Sequence, residues 1–295
     1  MGKYKVISFY KYVEIEYPEA MAKEHLNWCL ENNIRGKVYF ATEGINGSVF
    51  GDDETISNYK NHLKSIKIFN DVWFKETLTD KTAFNKMYVR VKDEIVNSGL
   101  QNTSLKNTAP KLTPEQLLNF YESGKDFIII DARNWYESKI GKFKNAITPQ
   151  IKHFREWPSV VESLGEYKER TIVTYCTGGI RCEKASAYMR ENGFKDVYQM
   201  DGGILNYIQK FPDTYWEGGM FVFDDRKVFE PNTKEELKHI ASCHFCNKPI
   251  SNYINCHNMN CDKIFVCCDE CKIENDYCCS EECKKSENKR KNFYG

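Results

Sequence analysis

The chain has 295 residues, 13 of them cysteine, with 42 lysines and arginines against 42 aspartates and glutamates. At roughly 100–200 residues per domain this length holds about two to three domains, and 41% apolar residues with 14% aromatics supply their cores, which excludes wholesale disorder. No run approaches the roughly 18 apolar residues of a membrane span, and charge balances within 1–100, 101–230 and 231–295 alike, which excludes a broadly basic nucleic-acid binder. One local basic patch exists, Lys284, Lys285, Lys289, Arg290 and Lys291. It reads as a solvated tail or a phosphate-contacting one. Residues 1–18 lack the apolar core and cleavage site of a secretory signal, so a cytoplasmic protein is the expectation.

In chain order, Lys5–Tyr10 is a short β-rich run, and Pro18 opens an amphipathic stretch in which Ala22, Leu26, Cys29 and Leu30 share one face. Cys29 is therefore expected in a core. Strands follow at Lys37–Ala41 and Ser48–Phe50, a helical pattern at Asp53–Ile66, and strands at Val72–Leu78 and Met87–Val91. The order β-α-β-β-α-β, allowing one extra strand, predicts a ferredoxin-like α+β sandwich over residues 1–95. Within it, Phe40-Ala-Thr-Glu-Gly-Ile-Asn-Gly47 is expected as a glycine-rich hairpin loop, with Glu43 and Asn46 either turn residues or ligand-facing. Residues 96–112 are polar and read as a linker.

Over residues 113–220 the pattern changes. A helix starting at Pro114 precedes Asp126-Phe-Ile-Ile-Ile-Asp131, a continuous apolar run of the kind buried on both faces. Thr171–Tyr175 and Val197–Met200 are further strands, with a helical pattern over Glu183–Asn192 between them. Alternating β and α elements predict a parallel sheet covered by helices.

After the second of these strands comes Tyr175-Cys176-Thr177-Gly178-Gly179-Ile180-Arg181-Cys182-Glu-Lys. Ligands bind beyond the carboxyl ends of parallel strands, which is where this loop lies. Gly178 and Gly179 let successive N–H groups point inward, the following helix start adds partial positive charge, and Arg181 adds a full one. All favour a thiolate, so Cys176 is expected to be a nucleophile with a lowered pKa. Cys182, at the start of the helix, is a candidate second thiol that could resolve an oxidised or persulfidated Cys176, or a buried structural one.

Residues 221–295 hold ten cysteines, eight of them as the pairs Cys243/Cys246, Cys256/Cys261, Cys268/Cys271 and Cys279/Cys283. Short spacings let both sulfurs of a pair reach one ion, so two structural zinc sites are expected, preferably crossed, first pair with third and second with fourth. Sequential pairing, and participation of Cys267, Cys278, His244 or His257, stay open.

The loop from Cys176 to Arg181, with Asp131-Ala-Arg133 after the preceding strand and Asp201-Gly-Gly203 downstream, resembles a rhodanese domain over roughly residues 115–217. The resemblance implies that Cys176 carries the reacting sulfur, that the amides of Thr177, Gly178, Gly179 and Ile180 hold an oxyanion, and that Asp131 and Arg133 lie at the pocket edge, or serve a structural pairing. Together with Phe-Ala-x-Glu-Gly-Ile-Asn-Gly and the Cys-rich end, the whole chain is similar to the bacterial tRNA uridine hydroxylases of the rhodanese-domain type. That implies oxygen-dependent formation of 5-hydroxyuridine at the tRNA wobble position, with tRNA and dioxygen as substrates, an electron donor that the sequence leaves unnamed, and no evident flavin or nicotinamide site. A thiosulfate or persulfide sulfurtransferase and a noncatalytic zinc-organised RNA-binding module are the alternatives.

Overall fold

The computed structural model describes residues 3–230 and 238–290. The N-terminal unit runs β1 (Tyr4–Tyr12), α1 (Pro18–Glu31), β2 (Arg35–Ala41), β3 (Gly44–Gly51), α2 (Asp53–Ser65), β4 (Phe74–Thr79) and β5 (Met87–Val91). Its sheet order is β4-β1-β3-β2-β5, the ferredoxin-like arrangement with β5 added in parallel to β2. Period-two alternation decides the faces. Ile7, Phe9, Val38, Phe40, Ile45 and Val49 pack under the two helices, whereas Ser8, Tyr10, Lys37, Tyr39 and Lys75 project from the opposite side. Cys29 is fully buried in the helical core, as its place on α1 implied, while Leu30 is exposed.

The stretch Phe40–Gly47 is mostly strand rather than loop. Only Thr42 and Glu43 form the turn, and Gly44 already begins β3. The glycines serve close packing: a Cβ on Gly44, at φ +145°, would collide with the Lys11 carbonyl, and one on Gly47 would lie 2.7 Å from the Phe9 ring. Residues 96–112 are docked rather than loose. Leu100 and Ala109 are buried in the core of the next unit, Thr108 donates to the Glu183 carboxylate at 2.8 Å, and β6 (Lys111–Leu112) joins the second sheet.

That unit continues with α3 (Pro114–Glu122), β7 (Ile128–Asp131), α4 (Trp135–Ile140), β8 (Gly141–Phe143), α5 (Trp157–Ser163), β9 (Thr171–Tyr175), α6 (Ile180–Glu191), β10 (Asp196–Met200) and α7 (Gly203–Lys210). Helix α3 opens on a capping box, Thr113 with Gln116. The sheet, ordered β6-β10-β9-β7, is parallel throughout. Its central strand alternates between two cores, Ile172 into one and Val173 into the other, which explains the continuous apolar runs.

The chain then forms β11 (Trp216–Gly218), which pairs with β8, and the hairpin β12 (Met220–Phe221) and β13 (Val228–Phe229). The Cys-rich end has β14 (Tyr253–Asn255), β15 (Ile264–Val266), α8 (Asp269–Glu274) and α9 (Glu281–Lys284). Thiols make up most of its buried interior, with Phe265, so it has little conventional core of its own.

Candidate active site and metal-ligand groups

Strand β9 delivers Cys176 to the carboxyl edge of the parallel sheet. The chain then turns through Gly179, whose φ of +96° places it in the left-handed region at the head of α6. This turn directs the Gly179 N–H to the Cys176 sulfur, at 3.2 Å. The Asp201-Gly-Gly203 motif supports it from behind. Gly202 and Gly203 also have positive φ, and the start of α7 donates from Ile204 to the Cys176 carbonyl (3.0 Å) and from Leu205 to the Thr177 carbonyl (3.1 Å). With the Cys176 and Thr177 carbonyls held by α7, the N–H groups of Gly179, Arg181 and Cys182 face the thiol. Burial opposes ionisation of Cys176, but the Cys182 thiol, the Arg181 charge and the N–H groups of Cys182 and Arg181 outweigh it and bring the thiol down to about 6. Cys182, equally buried, moves the other way, kept protonated by burial and by its charged neighbour.

Arg181 does not present a free charge. Its guanidinium makes a bidentate pair with the wholly buried Glu137, at 2.5 and 2.8 Å, so it acts as an anchored cation beside the loop. Asp131 and Arg133, expected at the pocket edge, are fully buried beneath it and do not line it. Arg133 donates to both Asp131 oxygens (2.9 and 2.6 Å) and to the Gly141 carbonyl. Asp131 also accepts from Ser138 and Tyr175, both at 2.8 Å. The pair ties β7 to β8 and β9, the structural alternative for these two residues.

Cys176 forms part of the wall of a cavity of about 400 Å³ enclosed between the loop and the outward face of the N-terminal sheet. From the rhodanese side come Thr177, Gly178, Ile180 and Arg181; from the sheet come Ser8, Tyr10, Asn46 and Lys75. Gly179, at the head of α6, is not among its walls. One residue of the wall, Thr177, has its Oγ1 buried without a hydrogen-bond partner among the described residues. An unsatisfied buried oxygen costs about 1–3 kcal/mol, which a polar ligand in the cavity would relieve.

Lys75 is the residue that the sequence did not single out. It is 5% exposed and has no carboxylate partner among the described residues; its ammonium lies 4.8 Å from the Tyr10 ring centroid and 4.7 Å from that of Trp73. Burial pushes its pKa down to about 8, against the opposing pull of the Cys176 thiolate. Nothing local marks this lysine, since it is one outward position of an alternating strand. Glu137 was equally unmarked, because its importance comes from a partner 44 residues away.

The motifs Glu43-Gly-Ile-Asn46 and Cys182-Glu183-Lys184 meet across the two units. Buried Lys184 bridges Glu43 (2.8 Å) and Glu94 (2.7 Å), while Glu183 accepts from Tyr10 (3.0 Å) and Gln199 (2.9 Å). Glu43 is thus an interface residue, not a cavity residue; Asn46 lines the cavity and donates to the Ile95 carbonyl at 2.8 Å.

At the Cys-rich end the crossed pairing is realised. Cys243, Cys246, Cys268 and Cys271 form one group, and Cys256, Cys261, Cys279 and Cys283 another, each able to hold a metal ion. Separations of 3.8 Å (Cys246–Cys268), 3.7 Å (Cys261–Cys279) and 3.8 Å (Cys279–Cys283) match the edge of a tetrahedron with ~2.3 Å metal–sulfur bonds, about 3.8 Å. The N–H groups of Cys268 and Cys279 donate to Cys243 and Cys256 sulfurs, both at 3.4 Å. Cys267, Cys278 and His257 are buried but outside both groups; His244, exposed and hydrogen-bonded to the Cys279 carbonyl, is also outside them. Part of the basic patch is already engaged: Lys284 pairs with Glu281 and Arg290 with Asp262. Lys291 lies outside the described residues.

These features define a rhodanese-type thiol protein whose reactive loop is roofed by an acylphosphatase-like domain. Family models match in the same order: the UPF0176 acylphosphatase like domain over residues 4–95, the rhodanese-like domain over 113–210 and the rhodanase C-terminal region over 217–284. A tRNA uridine(34) hydroxylase from Enterococcus faecalis is 41% identical over 276 residues, covering 91% of this chain and 86% of its own. The protein of the same name from Acholeplasma laidlawii is 40% identical over 267 residues, 88% and 83% of the two chains. The chain belongs to the tRNA uridine(34) hydroxylase family. Among solved structures, a rhodanese-like domain protein from Staphylococcus aureus is 25% identical, covering 33% of this chain and 90% of its own, with a TM-score of 0.29.

Proposed function

We propose that this protein hydroxylates the wobble uridine of tRNA at C5, with Cys176 as the thiolate that meets the base and dioxygen as co-substrate. The observation that supports this most directly is the placement of one acidified thiol in the wall of a cavity of about 400 Å³ that is mostly apolar and set with a few polar groups. An anticodon loop offers unstacked bases, which suits capture of one base in a pocket rather than reading of a groove. The unpartnered Thr177 Oγ1 would meet a polar edge of the base, the loop amides and anchored Arg181 would hold negative charge, and Lys75 would supply a cation from the roof. Cys182, kept as a thiol, would serve as the second sulfur available to an oxidised Cys176.

In this reading residues 1–95 roof the site, 96–112 strap the two units together, 113–220 carry the thiol and 221–295 form a unit held by two structural zinc ions. Each all-cysteine set closes its coordination sphere, so the ions would order the chain rather than react. No helix among the described residues is long and apolar enough to cross a membrane, and a tRNA substrate would place the protein in the cytoplasm. The test compares tRNA nucleosides from cells carrying the intact gene, a deletion and a Cys176→Ser allele. We expect 5-hydroxyuridine and its derivatives only with the intact gene; equal amounts in all three would reject the assignment.

A further inference from the structure

The cavity around Cys176, of about 400 Å³, adjoins a second, larger groove of about 750 Å³ between the N-terminal sheet and the β12–β13 hairpin, with Lys37, Tyr39 and Phe84 in the walls of both. Two neighbours cover the β1 and β4 side of the outward face: the rhodanese unit, where Tyr10 donates to Glu183, and the β12–β13 hairpin, where Arg226 donates to Thr77. Among the described residues the β2–β5 edge stays open, with Lys86, Tyr88 and Arg90 exposed. There the parallel register sets Lys37 beside Tyr88 and Tyr39 beside Arg90, a checkerboard of cations and rings on one face. Lys86 lies 4.8 Å from the Tyr88 ring centroid and Lys92 lies 5.8 Å from that of Tyr39. None of Lys37, Lys86, Arg90 or Lys92 pairs with a carboxylate among the described residues. Of the acids that line the groove, Asp224 makes a bidentate pair with Arg226, whereas Asp225, which accepts from Asn85, lies within electrostatic reach of Lys37 and Lys227. Phe223, 55% exposed, also lines both cavity and groove.

Cations that outnumber the neighbouring acids, interleaved with accessible rings on a strand surface, are the chemistry that binds single-stranded nucleic acid, the cations taking phosphates and the rings taking base faces. A duplex would use the cations but leave the rings idle. We propose that the β2–β5 edge is a track for the unpaired RNA nucleotides flanking the target base, with Tyr88 and Tyr39 as stacking platforms and Lys37, Lys86 and Arg90 as phosphate contacts. This rests on the reading of the substrate as an RNA loop, and it accounts for how a neutral protein binds a polyanion.

The test measures binding of a fluorescent anticodon stem–loop RNA to the full-length protein across a salt series, with Cys176→Ser in parallel. Lys37→Ala/Lys86→Ala/Arg90→Ala should flatten the slope of log affinity against log salt by about 2, at ~0.7 per lost phosphate contact. Tyr88→Ala should weaken binding about 5- to 100-fold with little change in slope, and Tyr88→Phe should restore it. Unchanged melting temperatures would show that these surface variants fold. In the Cys176→Ser background, which removes the chemistry, the triple substitution should flatten the salt slope by the same amount, so that loss of 5-hydroxyuridine chemistry and loss of the track are separate results. The proposal is overturned if the triple variant keeps its slope, if Tyr88→Ala binds normally, if a fully paired RNA of the same length binds as well, or if the unaltered protein does not bind the loop.

Discussion

Cysteine has opposite uses in the two halves of this chain. At Cys176 a single sulfur is surrounded by backbone N–H groups and an anchored guanidinium, which favour its charge while leaving it facing a cavity. At the C-terminal end eight sulfurs face one another in fours at tetrahedral spacing. What differs is the neighbour: donors around one thiol make a reactive thiolate, whereas thiols around thiols make a ligand set. Adjacent in type and distant in place, Cys29 shows the third case. Apolar packing alone pushes it up to about 12 and leaves it inert.

The contrast can be broken most severely at the metal end. Chelation should unfold the Cys-rich unit, since structural zinc contributes on the order of 10 kcal/mol or more. Elemental analysis should give two zinc ions per chain, and Cys268→Ala should remove one while the other set remains. Full occupancy in that variant would disprove the division into two sets. Next in size, Cys176→Ser should lower hydroxylation on the order of 10³-fold or more while leaving zinc content and melting temperature unchanged. Glu137→Gln should destabilise the rhodanese unit by about 3–5 kcal/mol, because it leaves Arg181 buried without its partner; denaturant unfolding would show it.

Smaller effects concern pH. Cys176 should alkylate at a rate that rises with pH to a plateau above about 6, falling roughly tenfold per unit below, where the thiol is protonated. Peptide mass mapping should find Cys29 unmodified over that range. Lys75 is charged below about 8 and loses its proton as pH rises through that value, so thiolate and ammonium coexist between about 6 and 8. Hydroxylation should therefore follow a bell with limbs near those values, and Lys75→Met should remove the upper limb. An upper limb that persists would exclude Lys75 as its source.

What could be read beforehand follows the range of the interaction. The strand and helix order, the reactive loop and the cysteine pairs are set by residues a few positions apart, and all were legible. Crossed pairing was legible too, because it is the arrangement that pins a segment without much core. Lys75, Glu137 and the strap at 96–112 were not, since their partners lie on other elements: Thr108 engages Glu183, and Ser104 donates to Glu191, 87 positions away. The glycines of Phe40–Gly47 misled for a related reason. Their need arises from Lys11 and Phe9 on a neighbouring strand, and from the sequence alone a close-packing glycine looks like a turn glycine.

Lys184, locked between Glu43 and Glu94, has a consequence for the lifetime of the protein. An acidic thiolate in a cell is a target for peroxide, and its second oxidation is one that thiol reductants do not reverse. Because the sheet roofs Cys176, damage would be governed by how often the two units part, an opening that this buried three-residue clasp opposes. A chain with Lys184→Met should then age faster under mild peroxide than one with an intact clasp, accumulating sulfinic acid at a thiol whose own acidity has not changed.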